Sequence, residues 1–87
     1  MSEYSLEFAL GWESCFEKLD KGIRERVWKK IQQLKVLPHS RHLRQGFDFF
    51  VSEVGQYRIA YKVDEQRKVK VVHFVGDHKE YDKWLGL

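Results

Sequence analysis

The chain has 87 residues, 43% of them hydrophobic and 15% aromatic, enough for one packed core and too few for two, so residues 1–87 are read as a single domain rather than a disordered segment. A lone cysteine, Cys15, excludes an internal disulfide and with it a stapled secreted scaffold. The formal charge is only +3, but residues 1–17 hold four acids and no Lys or Arg, residues 18–46 hold nine bases against Asp20 and Glu25, and residues 47–87 balance seven against seven.

The N-terminal Met1-Ser2-Glu3-Tyr4 has neither a basic start nor an apolar run, and no window reaches the ~20 apolar residues that span a bilayer. A cytoplasmic protein without membrane attachment is expected. In residues 3–9, Tyr4, Leu6 and Phe8 alternate with polar neighbours as in a half-buried strand. The period then changes, with Phe16, Leu19, Ile23, Val27, Ile31 and Leu34 at spacings of three and four, the pattern of an amphipathic helix. Asp20-Lys21-Gly22 interrupts it, which predicts a helical hairpin over about 13–20 and 22–36, ended by Pro38. Cys15, beside Phe16 in this stripe, is read as core filling.

Three strand-like runs follow a polar connector, at about 47–54, 56–63 and 68–75, with joints short enough for hairpins. Alternation places Tyr57, Ile59, Tyr61 and Val63 on one face of the middle run and Arg58, Ala60 and Lys62 on the other. In the last run it places Val69, Val71, His73 and Val75 opposite Lys70, Val72 and Phe74, so His73 is expected to pack among valines. Gly76 breaks the strand, and Asp77-His78-Lys79-Glu80 has the form of a capping box opening a terminal helix with Tyr81, Trp84 and Leu85 as its apolar stripe and Trp84 in the core. The fold class is α+β, arranged β-α-α-β-β-β-α, a twisted and mostly antiparallel sheet with helices packed against it.

The basic block carrying Arg24, Arg26, Lys29, Lys30 and Lys35 is either a solvated helix face or the footprint of a polyanionic or acidic partner. No phosphate loop, Cys-x-x-Cys, His-Glu-x-x-His or Gly-x-Ser-x-Gly motif is present, and His39, His42, His73 and His78 lack metal-ligand spacing, so neither a metal nor another cofactor is expected. What remains is His78, Lys79 and Tyr81 at the last strand–helix junction, with Arg58 on a neighbouring strand. These types suit RNA transesterification, which needs a base for the 2′-OH, a cation at the phosphorus centre and an acid for the leaving 5′-oxygen. Arg58 is equally suited to an ion pair with Glu53, and His78 to a surface position at a helix start.

Gly55-Gln56-Tyr57-Arg58-Ile59-Ala60-Tyr61 resembles the G-x-Y-R-[aliphatic]-x-Y strand of the RelE/ParE superfamily of toxins. Val75-Gly76-Asp77-His78-Lys79-Glu80-Tyr81-Asp82 resembles the G-[TS]-H-x-E-Y-D ending of its HigB- and YafQ-like branches, and the helical hairpin and Leu43-Arg44-Gln45-Gly46 are similar to the family's usual order. The resemblance covers nearly the whole chain. It implies the toxin of a toxin–antitoxin pair, a metal-independent mRNA endonuclease that acts on the ribosome and is silenced by an antitoxin, as a homodimer or in a hetero-oligomer with that partner. Arg58 takes the place of the phosphate-binding arginine, His78 that of the terminal acid or base, and Tyr81 that of the aromatic after it. RelE has lysines on the strand before the arginine, where this chain has Phe49, Val51 and Glu53. The general base is therefore open, with His42, Arg44 and Lys79 as further candidates beside His78, while Arg41, His42, Arg44 and Lys62 join the basic helix as expected RNA contacts. Asp77 stands where Thr or Ser is common, and its carboxylate is expected to raise the pKa of His78. Two other readings are a ParE-like inhibitor of DNA gyrase and a binding module that has lost catalysis.

Overall fold

The computed structural model describes residues 3–36 and 49–86. In chain order it contains β1 (Ser5–Phe8), α1 (Trp12–Glu17), α2 (Lys21–Gln33), β2 (Phe50–Val54), β3 (Tyr57–Asp64), β4 (Val69–Gly76) and α3 (His78–Leu85). The strands form one sheet in the order β1-β4-β3-β2, antiparallel except that β1 runs parallel to β4. The expected arrangement is thus present. Pro38, the connector with His39, Arg41, His42 and Arg44, and residues 47 and 48 of the expected second strand lie outside the described residues.

The helical stripe packs as its spacing requires: Leu19, Val27, Ile31 and Leu34 are buried against Ile59, Tyr61, Val72 and Val75 of the sheet, with Phe16 and Ile23 at the margin. Trp12 opens α1 and joins the same core. The break in the hairpin is not at Gly22. Asp20 is the extended residue that precedes α2, and Gly22 lies within the first turn of that helix. The β2–β3 turn does depend on glycine, since Gly55 takes φ of 58° at the first position of a two-residue hairpin, where a Cβ is penalised.

Alternation holds along β3 and fails along β4. Tyr57, Ile59, Tyr61 and Val63 pack toward α1 and α2, while Ala60 belongs to a second cluster with Val51, Phe74 and Tyr81 on the opposite face. On β4 the register shifts between Ala60 and Tyr61: Phe74 pairs with Ala60 and Val72 with Tyr61, leaving His73 as an extra residue. A bulge of this kind reverses the side-chain phase. Val72 and Val75 therefore share the helix-covered face, three residues apart, and Phe74 faces the other way. His73 keeps the side it was expected to share with Val71 and is half-buried there, but Val75 has left that side, and the ring of His73 meets Phe49 edge-on at 5.1 Å.

Lys70 is fully buried. Its ammonium donates to the carbonyl of Leu34 at 2.6 Å, just past the end of α2, and lies 4.8 Å from the Tyr4 ring centroid and 5.6 Å from that of Tyr61. Burial pushes its pKa down, opposed by the nearby Glu65 carboxylate. The amine closes one of the carbonyls that a helix end leaves open and ties α2 to β4 and to the residue before β1.

Candidate functional site

The second face of the sheet is covered only in part, by α3, and it carries Arg58. Strand register sets Arg58 opposite Glu53 on β2 and opposite Gly76 at the end of β4, so the arginine stands beside the turn into α3. That turn is fixed by a full capping box: the Asp77 carboxylate accepts from the Glu80 N–H at 3.0 Å, and the Glu80 carboxylate accepts from the Asp77 N–H at 3.1 Å. Gly76 is needed for close approach, because a Cβ there would lie 2.7 Å from Phe74 Cζ and 3.0 Å from both Glu80 Cβ and Oε1. His78 and Lys79, both exposed, follow in the first turn of α3.

Tyr81, one turn on, is only 4% exposed and supports Arg58, whose guanidinium carbon lies 4.8 Å from the tyrosine ring centroid. The Glu53 carboxylate approaches Arg58 Nε at 3.5 Å, so the expected ion pair exists. Even so, Nε is buried and makes no hydrogen bond among the described residues. A buried guanidinium donor without a hydrogen bond is uncommon, and the Arg58 side chain still leaves 27% of its surface open on this face.

Farther along the same face, the Lys62 ammonium lies 5.0 Å from the Phe49 ring centroid. Phe49 also meets the Trp84 ring edge-on at 4.8 Å, and Trp84 stacks on Phe74 at 4.9 Å with 9° between the planes. Trp84 remains 36% exposed, which corrects its assignment to the core. His73 stands beside Phe49. Burial, and after it the Lys62 charge, pushes its pKa below the usual 6.5.

The structure brings Arg58, Tyr81, His78 and Lys79 to one end of this face and puts Lys62 on the same face. It does not bring most of the basic helix to them. Val27 and Ile31 bury α2 against the opposite side of the sheet, so Arg24, Lys29 and Lys30 stand across the sheet from Arg58, with Lys35 just past the end of that helix, while the Arg26 guanidinium reaches the β2–β3 turn, 3.1 Å from where a Cβ on Gly55 would lie. Arg41, His42 and Arg44 fall outside the described residues. Phe49 and His73 were not expected as members of this face; nothing in their runs, which mix aliphatic, aromatic and charged residues, sets them apart. Sequence reading also missed an aromatic group beside the edge strand, where Phe8 stacks on Trp28 at 5.8 Å and Trp12 on Phe16 at 5.4 Å.

Among the described residues no three His, Cys, Asp or Glu side chains group as a metal site, and no helix is long and apolar enough to cross a membrane. No protein-family model matches the chain, and no curated protein matches it in sequence. Solved structures do match. A mutant Escherichia coli toxin RelE in the free state aligns at a TM-score of 0.77 with 24% identity, over 98% of this chain and 93% of that one. The toxin in the intact E. coli RelBE toxin–antitoxin complex aligns at 0.70 with 26% identity, over 85% and 95%. The RelBE2 toxin–antitoxin complex from Mycobacterium tuberculosis gives 0.75 and 22%, over 90% and 94%. The chain has the fold of the RelE toxins.

Proposed function

We propose that this chain is the toxin of a toxin–antitoxin pair, and that it cleaves mRNA on the ribosome by transesterification without a metal ion. The fold supports the coarser half, since structures of that fold occur as complexes of toxin with RelB antitoxin. The observation that supports the finer half is the part-exposed Arg58, held over Tyr81 beside the turn that leads into His78.

In the proposed reaction the 2′-oxygen attacks the adjacent phosphorus, the bond from phosphorus to the 5′-oxygen breaks, and the products are a 2′,3′-cyclic phosphate and a 5′-hydroxyl. The Arg58 guanidinium holds the phosphate and offsets the charge that builds at phosphorus. His78 passes a proton to the leaving 5′-oxygen. Tyr81 keeps Arg58 extended over the face. Lys79, beside His78, is the described candidate for the proton acceptor, and the Asp77 carboxylate is engaged by the α3 cap. An antitoxin would silence the toxin by covering this face.

The test is to express the chain briefly and map mRNA ends by toeprinting or sequencing. Cuts inside translated codons are expected, lowered by roughly 10²-fold or more in Arg58→Ala and in His78→Ala, each checked for folding by circular dichroism. Intact mRNA alongside broken DNA would replace this reading with gyrase inhibition. Full cleavage by a folded His78→Ala chain would remove that residue from the reaction.

A further inference from the structure

The half of the open face beyond Arg58 has its own chemistry. Lys62 is four residues along β3 from Arg58 on the same side, about 13 Å at strand rise, too far for both to hold one phosphate. The floor between them is Ala60, Val51 and Phe74, all buried. At the far end, His73 lies on this face next to Phe49 and near Lys62, and the bulge that follows it turns Phe74 to the same side. Two aromatic rings, a cation and an imidazole thus meet on one surface, and Trp84 keeps a third of its surface in solvent. Stacking rings beside a cation are the means by which proteins hold single-stranded nucleic acid.

We infer that Phe49, Lys62, His73 and Trp84 form a subsite for a single-stranded RNA nucleotide flanking the one whose phosphate Arg58 holds. Lys62 takes the flanking phosphate, Trp84 supplies the stacking ring, and Phe49 props both. The low basicity of His73 keeps it neutral at physiological pH, with one donor and one acceptor nitrogen to set against a base edge. The subsite answers the absence of lysines at positions 49, 51 and 53 by putting the second cation on β3. The inference rests on the RNA-cleavage reading above.

It is tested on the full chain by titrating a single-stranded RNA trinucleotide, 2′-O-methylated so that it cannot be cut, while following tryptophan fluorescence. Binding is expected to quench the wild type, and Trp84→Phe should remove most of the quench although Trp12 and Trp28 remain. Trp84→Ala should weaken binding by about 5- to 100-fold, the range for losing one stacked base. Lys62→Ala, at an exposed position that leaves the fold intact, should weaken it and lower the log–log salt slope by about 0.7. Unchanged affinity and slope in Lys62→Ala, or a quench that survives in Trp84→Phe, would overturn the subsite even if the wild type cuts mRNA. Equal quenching by polyglutamate would overturn it too, making the patch a surface for acidic protein. A wild-type chain that quenches as expected but leaves translated mRNA uncut would keep the subsite and refute the cleavage.

Discussion

Substituting Gly76 by alanine tests whether the junction between β4 and α3 is what holds the site together. The new methyl would sit 2.7 Å from Phe74 Cζ and 3.0 Å from Glu80 Cβ and Oε1, so the Phe74 ring and the start of α3 must both move. Displacing Glu80 breaks its half of the capping box, worth about 1 kcal/mol, and forcing a methyl into a packed junction costs about 1–3 kcal/mol. The sum is roughly 2–4 kcal/mol, and a domain of this size loses about 4–8 °C of melting temperature per kcal/mol, so a drop of roughly 10 °C or more is expected by circular dichroism. Because Arg58 pairs with Gly76 and rests on Tyr81, cleavage should fall at temperatures where the variant is still folded. A melting point within about 3 °C of the wild type, with full cleavage, would refute the claim that this close approach positions the site.

Lys29→Glu with Lys30→Glu changes one exposed and one half-buried position on α2, across the sheet from Arg58; if this helix docks on ribosomal RNA, the log–log salt slope of ribosome pelleting should fall by about 1.4–1.8 with the fold intact. Identical salt curves would return these lysines to a solvated surface. EDTA should leave cleavage unchanged when ribosome integrity is verified by sedimentation, since no metal-ligand group stands among the described residues; strict dependence of the chemical step on added Mg²⁺ would refute the mechanism. Burial and Lys62 lower the pKa of His73 from 6.5, so the unfolded chain binds that proton first as pH falls. The wild type should therefore lose stability relative to His73→Phe between pH 6.5 and the lower folded value, with no such change above that window, and parallel urea-denaturation profiles would show that His73 is not held neutral.

The sequence by itself determined whatever depends on local periodicity and chemistry. The helical stripe from Phe16 to Leu34, the faces of β3 and the Asp77–Glu80 capping box follow from spacings of two, three and four and from hydrogen bonds that span a few residues. Tertiary structure alone decided what depends on pairing between distant segments. The bulge on β4 exists only because β3 and β4 lose register at Ala60 and Tyr61; it turned Phe74 onto the open face beside His73 and Val75 onto the helix-covered one, and no feature of Val71-Val72-His73-Phe74 marks it. Lys70 could be read as one more surface cation, yet the end of α2 and the rings of Tyr4 and Tyr61 close over it, an enclosure made by residues 36 positions away at Leu34 and farther at Tyr4. Trp84 lies on the apolar stripe of α3, but a helix face can be buried only where the sheet beneath is wide enough, and there Phe49 and Phe74 cover one side of the ring and leave the rest to solvent. Periodicity states which residues share a side of an element; the register and extent of its neighbours decide whether that side is core or site.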